Sequence, residues 1–116
     1  MSYPVPKARG ETYQPVEYIE DVCGIYFRGI CLANALEAVP QHQHDHDHAT
    51  LVASGAVRVW VENEYLGDFA SPKAIEIKAG KAHIFQALEP MTRLYCVHNL
   101  DGEPYRVLRE TQLEKA

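Results

Sequence analysis

Histidine alternates with other residues along one short tract, at His42, His44, His46 and His48. Imidazole is the side chain that most often binds transition metals, and a dense cluster of it either accumulates positive charge or needs polar partners. A metal ion would meet both demands. The tract lies in the middle of the chain, between apolar segments, which is not where an affinity tag is placed. The alternative is a solvated loop that chelates metals weakly without building a site.

Strand geometry would bring three of these rings together. If a strand runs through His44, then His42 and His44 lie on the same face, because the side chains of a strand alternate with a period of two. A turn at residues 45–47 would let His48 open the neighbouring strand and face the same interior. His46 falls in that turn, facing solvent or standing behind the ligands. The tract therefore predicts three metal ligands from two strands.

A fourth ligand has to come from another part of the chain. His83 is the best candidate, because it follows the turn at Ala79-Gly80 and so stands near the start of another strand. His98, late in a predicted strand, is the weaker candidate and is otherwise a pocket wall or a hydrogen-bonded core histidine. Gln86 and His98 are the polar side chains best placed to orient a substrate, and they are the candidate catalytic residues.

The elements that would position these side chains are short strands. Val57, Val59 and Val61 alternate with side chains of other types, which is typical of a strand with two different faces. Helical periodicity is nearly absent, and only residues 108–115 could form a terminal helical turn. Strands are predicted at residues 22–28, 30–38, 51–61 with a break at 54–55, 65–69, 74–78, 83–88, 92–98 and 105–108. Such a succession favours a β-barrel or a double-sheet jelly roll.

Size and charge limit the classes of function. A chain of 116 residues supports one domain, with an extended arm at residues 1–20, a barrel at 21–108 and a tail at 109–116. The net charge of −5 argues against nucleic-acid binding, which needs clustered Lys and Arg. No apolar stretch approaches the ~20 residues that span a membrane, and the N-terminus lacks the apolar core of a signal peptide. Three cysteines without paired spacing are expected to be reduced, in a cytoplasmic protein.

The histidine tract and the segment around His83 resemble the two motifs of the cupin superfamily. In the first motif, G-x5-H-x-H-x3,4-E-x6-G, the spacing is reproduced by His42, His44, His48 and Gly55, with histidine in place of the usual glutamate. The second motif, G-x5-P-x-G-x2-H-x3-N, is matched at its centre by the segment from Gly80 to His83. Reading His44 and His46 as the paired histidines would spoil the distance to Gly55. The chain departs from the two motifs at Leu36, Pro72, Lys78 and Ala87, positions that shape turns.

The resemblance covers about residues 25–100 and carries structural expectations. It implies an all-β fold, the cupin double-stranded β-helix, which is a jelly-roll barrel. It also implies that one divalent transition metal is bound by His42, His44, His48 and His83. Iron, manganese, nickel, copper and zinc are all compatible with imidazole ligands.

An all-histidine site indicates a class of chemistry. Neutral imidazoles leave the full charge on the metal, which is then a stronger Lewis acid than in a site with a carboxylate ligand. A small organic substrate that chelates through two oxygens would fit, and a dioxygenase or another oxidative cleavage is the leading hypothesis. An isomerase or lyase that uses the same metal is the first alternative. A non-catalytic cupin that binds a metal or small molecule as a sensor or carrier is the second.

We also expect a homodimer. A small double-sheet barrel leaves its sheet edges open, and an arm of 20 residues punctuated by proline has too little core to stand alone. Small cupins commonly pair by sheet extension or arm exchange, and the resemblance implies the same here. Neither a nucleic acid nor a membrane is expected as a partner.

Overall fold

The computed structural model describes residues 3–6, 16–44, 47–99 and 110–112, and of residues 16, 17, 40–44 and 110–112 it describes the backbone alone. All of the regular secondary structure in these ranges is β-strand. No helix long and apolar enough to cross a bilayer occurs among them. The expectation of an all-β chain is confirmed for this part of the molecule.

In the described ranges, ten strands form two antiparallel sheets. They are β1 (Val16–Val22), β2 (Ile25–Leu32), β3 (Ala38–His44), β4 (His48–Ser54), β5 (Ala56–Val61), β6 (Glu64–Ala70), β7 (Lys73–Ile77), β8 (His83–Ala87), β9 (Thr92–Asn99) and β10 (Glu110–Gln112). Sheet 1 has the order β1-β2-β9-β4-β7, and sheet 2 has the order β10-β3-β8-β5-β6. Successive strands repeatedly cross between the two sheets, as in a jelly roll.

The two sheets enclose one apolar core. Strand alternation turns every second residue inward, so Val57 and Val59 of sheet 2 pack with Val52 and Leu94 of sheet 1, all of them fully buried. The remaining buried members of this core are Ile30, Leu32, Val39, Ile75, Ile77, Phe85 and Ala87. The histidines at the start of β4 and β8 continue the same inward-facing series toward one end of the barrel.

The prediction of separate strands at residues 22–28 and 30–38 is wrong. A single strand, β2, runs through Arg28 to Leu32, and the chain turns earlier, at Cys23-Gly24. Both turn residues have positive φ, 54° and 73°, as a two-residue hairpin loop requires. Gly24 is typical of the second position of such a loop, but cysteine is not typical of the first, so the composition gave only half of the usual signal.

The C-terminal prediction also changes. Residues 110–112, expected within a helical turn, form strand β10, which pairs with β3 from His42 to His44. An unpaired sheet edge favours such pairing over an isolated turn of helix. The predicted strand at 105–108 and the turn at Asp101-Gly102 lie outside the described residues. The division into arm, barrel and tail stays a prediction, although the ladder of sheet 1 already begins at Val16.

The predicted break at Ser54-Gly55 is confirmed as the connection between β4 and β5. Gly55 has a φ of 77°, in the left-handed region that favours glycine. A Cβ placed there would meet the hydroxyl of Thr92 and would lie 2.9 Å from the Thr92 Cα. Both backbone conformation and close approach therefore require glycine at this corner.

Two positions at which the chain departs from the cupin motifs, Leu36 and Pro72, have an uncommon backbone conformation. Leu36, which replaces the first motif glycine, has a φ of 74°, and its N–H donates to the carbonyl of Ala87 at 2.7 Å. The Ser71-Pro72 peptide, at the first glycine position of the second motif, is cis. Leucine therefore occupies the conformation that glycine would adopt more easily.

Residues 3–6 cover the outer face of sheet 2. The Trp60 indole N–H donates to the carbonyl of Tyr3 at 2.8 Å, and the guanidinium of Arg58 lies 3.5 Å above the Tyr3 ring. Arg58 also makes a bidentate pair with Asp68, at 2.8 and 2.9 Å, which lowers the pKa of that carboxyl below its ordinary value. Residues 3–6 therefore cover an aromatic cluster, in which Tyr65 packs edge-on against Tyr3.

Candidate metal centre

The structure brings together two of the predicted ligands, one from each sheet. His48 opens β4 in sheet 1, and His83 opens β8 in sheet 2. Their ring centroids lie 5.3 Å apart, and the residues are 5% and 1% exposed. Two imidazoles that bind one ion through nitrogens at ~2.1 Å have centroids about 5 Å apart. The pair therefore has the spacing of two ligands on one metal.

A backbone hydrogen bond fixes the tautomer of His83. Its Nδ1 lies 3.0 Å from the carbonyl oxygen of Lys81, which can only accept, so Nδ1 carries the proton. The lone pair is then on Nε2, the nitrogen that a metal would bind. A carbonyl behind the ring is a common device for orienting a ligand histidine.

Two carboxylates form hydrogen bonds with the backbone of the connections that precede His48 and His83. Asp47, directly before His48, accepts a hydrogen bond from the Ala79 N–H at 2.7 Å and so ties the β3–β4 connection to the β7–β8 connection. Glu62 accepts from the Ala82 N–H at 2.7 Å, and its own N–H donates to the Ala82 carbonyl at 2.7 Å. The backbone next to each ring is therefore fixed by an acidic residue that is not itself a predicted ligand.

The other two predicted ligands are located by their backbones. His42 pairs directly with His83 in the β3–β8 ladder, after an irregularity that follows Val39. His44 lies two residues further along β3. His46 lies outside the described residues. Among the described side chains, which exclude those of His42 and His44, no group of three potential metal ligands is close enough to hold an ion.

On the inner face of sheet 1, His48 belongs to a line of side chains that runs across the strands. Tyr26 pairs with His98, and Ala49 pairs with Val97, so the next position of that ladder places His48 beside His98. We call this line the histidine row: Tyr26, His98, His48 and Ile77. The rings of Tyr26 and His98 are 5.2 Å apart.

His98 is fixed in one tautomer, like His83. Its Nδ1 donates to the carbonyl of Asn99 at 3.0 Å, which puts the lone pair on the buried Nε2. The buried Nε2 of His98 therefore lies on the inner face of sheet 1, where the ladder places His98 beside His48.

Gln86, the other candidate catalytic residue, is not brought to this interior. It lies on the opposite face of β8 from His83, pairs with Arg58, and donates to the carbonyl of Leu36 at 3.2 Å. Phe85, the next residue toward His83, faces the core instead. The structure thus brings His98 to the site and leaves Gln86 on the outer face of sheet 2.

An inward-facing arginine was missed from the sequence. Arg28 alternates with Tyr26, Ile30 and Leu32, all buried, so it belongs to the inner face of β2. Arg28 pairs with Cys96 across the sheet, and Cys96 pairs with Thr50. The Thr50 hydroxyl and the Cys96 sulfur form a hydrogen bond of 3.6 Å. A second line of inward side chains therefore crosses sheet 1, two residues along each strand from the histidine row. We call it the arginine row: Arg28, Cys96, Thr50 and Ile75. The signal was available in the alternation, but the misplaced strand boundary at Arg28 concealed it.

The fold is shared with solved structures of low sequence identity. A cupin superfamily protein from Desulfitobacterium hafniense is 14% identical, with a TM-score of 0.64 over 83% of this chain and 84% of that chain. A double-stranded β-helix protein from Klebsiella pneumoniae is 15% identical, with a TM-score of 0.65 over 88% and 90%. The DMSP lyase DddQ from Ruegeria pomeroyi is 14% identical, with a TM-score of 0.67 over 87% of this chain and 56% of the lyase.

Sequence comparison adds no family assignment. No protein-family model matches the chain, and no curated protein matches it. At these identities the structural similarity shows the fold alone. The cupin double-stranded β-helix expected from the two motifs is thereby confirmed.

Proposed function

We propose that this chain is a small metal-dependent enzyme whose substrate is an organic molecule that chelates through oxygen. One divalent transition ion, of iron, manganese, nickel, copper or zinc, is bound by His42, His44, His48 and His83. The observation that carries the proposal is the buried pair of His48 and His83, 5.3 Å apart and contributed by opposite sheets. Polar rings buried in an apolar barrel need hydrogen-bonding or metal partners, and a shared metal would serve both rings.

The backbone register supports the other two ligands. Directly opposite positions of an antiparallel ladder share a face of the sheet, and His42 stands opposite His83. Position 44 shares that face by alternation. Three of the proposed ligand positions therefore belong to the inner face of sheet 2, and His48 faces them from sheet 1.

The residues around the pair suit a reaction on a bound chelate. When bound, the metal supplies Lewis-acid activation of a substrate oxygen. His98 Nε2, held as the basic nitrogen by the Asn99 carbonyl, can accept a proton from the substrate or return it. Tyr26 is buried beside His98 and excludes water from that side. Oxidative cleavage of a dioxygenase type is the reaction that we propose first.

A lyase is the second candidate. The specific observation in its favour is that the similar structures include one named as a DMSP lyase, although the chain spans 56% of that protein. Elimination needs a base beside the substrate, which His98 would supply, and it consumes no oxygen.

The test separates these reactions by their use of oxygen. We expect the protein as purified to contain about one equivalent of a transition metal. Protein loaded with iron, manganese or copper should then consume oxygen with a dicarbonyl or catechol-like compound, at a rate that metal-free protein lacks. Substrate consumption under nitrogen would contradict the dioxygenase and support the lyase. If no chelating compound is consumed with or without oxygen, the enzyme proposal is overturned in favour of a sensor or carrier.

A further inference from the structure

Sheet 2 carries a small apolar cluster on its outer face, outside the barrel. The cluster consists of Ala38, Trp60 and Ile84, which are 5%, 2% and 2% exposed. Trp60 pairs with Ile84 in the β5–β8 ladder and points away from the core, to which its neighbour Val59 belongs. The outer face of an antiparallel sheet is usually polar and solvated, so a buried tryptophan on that face needs a cover.

Among the described residues outside the sheet, this cover is the N-terminal segment, residues 3–6, with the sequence Tyr-Pro-Val-Pro. Tyr3 and Val5 pack against the cluster, whereas Pro4 is exposed. Each proline fixes its own φ, lacks an N–H and disfavours a helical conformation for the residue before it. The segment is therefore extended before it docks, and it cannot join a sheet as a regular strand.

The sheet presents preformed contacts to this segment. The Trp60 indole N–H donates to the carbonyl of Tyr3 at 2.8 Å. The guanidinium of Arg58 lies 3.5 Å from the centroid of the Tyr3 ring, and the ring of Tyr65 packs edge-on against it at 4.9 Å. Asp68 accepts a hydrogen bond from both Arg58 and Tyr65. The surface that receives the tyrosine is therefore held in shape by contacts within the sheet.

We propose that this outer face of sheet 2 is a docking site for a proline-containing segment of another protein, and that residues 3–6 occupy it as an intramolecular competitor. Surfaces lined by aromatic rings recognise proline-rich segments because such a ligand is already extended and loses little entropy on binding. The ligand has an aromatic residue that stacks on Arg58, then a proline, then an aliphatic residue that packs on the apolar cluster.

The contacts of the N-terminal segment are of a kind that another chain can make. They are one carbonyl, one aromatic ring and one aliphatic side chain, and Tyr3 and Val5 are only half-buried. A tethered competitor has an effective concentration of roughly millimolar, so a ligand with additional contacts displaces it. A second copy of this chain would bring the same four residues and replace each contact by an identical one. A foreign segment can add contacts, and it is the occupant that we assign to the site.

The test uses the full chain and a fluorescein-labelled peptide that begins with Tyr-Pro-Val-Pro. Tyr3→Ser and Val5→Ser together free the site without shortening the chain. Fluorescence anisotropy should show that the peptide binds this double variant at concentrations of about 1 mM or below, and the wild type about 10-fold more weakly, because the tethered segment competes. A labelled peptide with serine in place of the tyrosine and the valine should bind neither protein.

Three further substitutions, each made in the double variant, locate the bound peptide. Trp60→Phe keeps a large ring but removes the N–H donor, and it should weaken binding about 3- to 10-fold. Arg58→Met removes the cation and should weaken binding about 2- to 5-fold. Tyr18→Ser is the matched control, since it removes an exposed tyrosine from sheet 1, and it should leave the affinity unchanged.

The chemistry of the ligand is tested by selection of a displayed peptide library, randomised around two fixed prolines, on the double variant. Aromatic residues should be enriched before the first proline and aliphatic residues before the second. Enrichment of neither class would overturn the ligand that we assign.

The remaining outcomes decide the site and its occupant. A double variant that still unfolds cooperatively but binds no peptide would overturn the proposal, and so would binding that both Trp60→Phe and Arg58→Met leave unchanged. Tyr3→Ser alone, with the same expectations, serves if the double variant does not fold. Sedimentation tests the second copy: a wild-type dimer that becomes monomeric in the double variant would assign the site to the segment of that copy and overturn the role of a foreign protein.

Discussion

Replacing His48 by alanine should abolish stoichiometric binding of a divalent transition ion, whereas His46→Ala should leave binding nearly intact. His48 is buried and faces His83 at the spacing of two ligands on one ion. Loss of a group that only orients a ligand weakens metal binding about 10- to 100-fold, so loss of a ligand should weaken it by more than about 100-fold. We therefore expect His48 to be essential for the site.

The measurement is metal content after dialysis, together with the visible spectrum of the cobalt-loaded protein. Thermal unfolding gives an independent reading, because an ion bound only by the native state raises the transition temperature of the wild type. That rise should vanish in His48→Ala and persist in His46→Ala. The reverse pattern would mean that His44 and His46 form the ligand pair and that the register assigned to the tract is wrong.

Gly55→Ala should cost the barrel about 3 kcal/mol or more, or prevent folding altogether, because a positive φ costs alanine ~1–2 kcal/mol and a core clash adds ~1–3 kcal/mol. The clash is with Thr92, which is fully buried and whose hydroxyl donates to the Glu89 carbonyl at 2.8 Å. Thr92 therefore has little room to move away from a new methyl group.

Gly80→Ala is the matched control, since Gly80 has the same φ of 77° but nothing within 4 Å of its added Cβ. It should lose only the conformational term, about 1–2 kcal/mol. The difference between the two variants, measured by urea unfolding of metal-free protein, isolates the steric contribution. Equal losses in the two variants would show that the β4–β5 corner can relax around the methyl group.

Periodicity predicted most of the barrel, because a strand with one buried face repeats every two residues. The alternation from Val57 to Val61 and the break before Ala56 correspond to β5 as it is observed. The turn at Ala79-Gly80 correctly placed His83 near the start of a strand, and the histidine spacing correctly placed His48 at the start of another. These positions depend on local pattern alone.

What the pattern missed depends on information that is not local. The hairpin at Cys23-Gly24 needs a positive φ at both residues, and a cysteine does not predict that conformation. The inner face of Arg28 follows only once β2 is known to begin at Ile25. The outward direction of Gln86 was available from alternation, because Gln86 follows the proposed ligand His83 by three residues on β8. The strand boundary at Cys23-Gly24 therefore needed the structure, whereas the face of Gln86 did not.

The contact of residues 3–6 with the outer face of sheet 2 gives this protein a built-in optical probe. Trp60 is the only tryptophan of the chain, and its indole N–H is bonded to the Tyr3 carbonyl while the ring is 2% exposed. If residues 3–6 lift from the sheet, the indole meets water and its emission shifts to the red, although the barrel itself stays folded. A red shift without loss of the β-sheet signal in circular dichroism would therefore report detachment of this segment rather than unfolding, without any label.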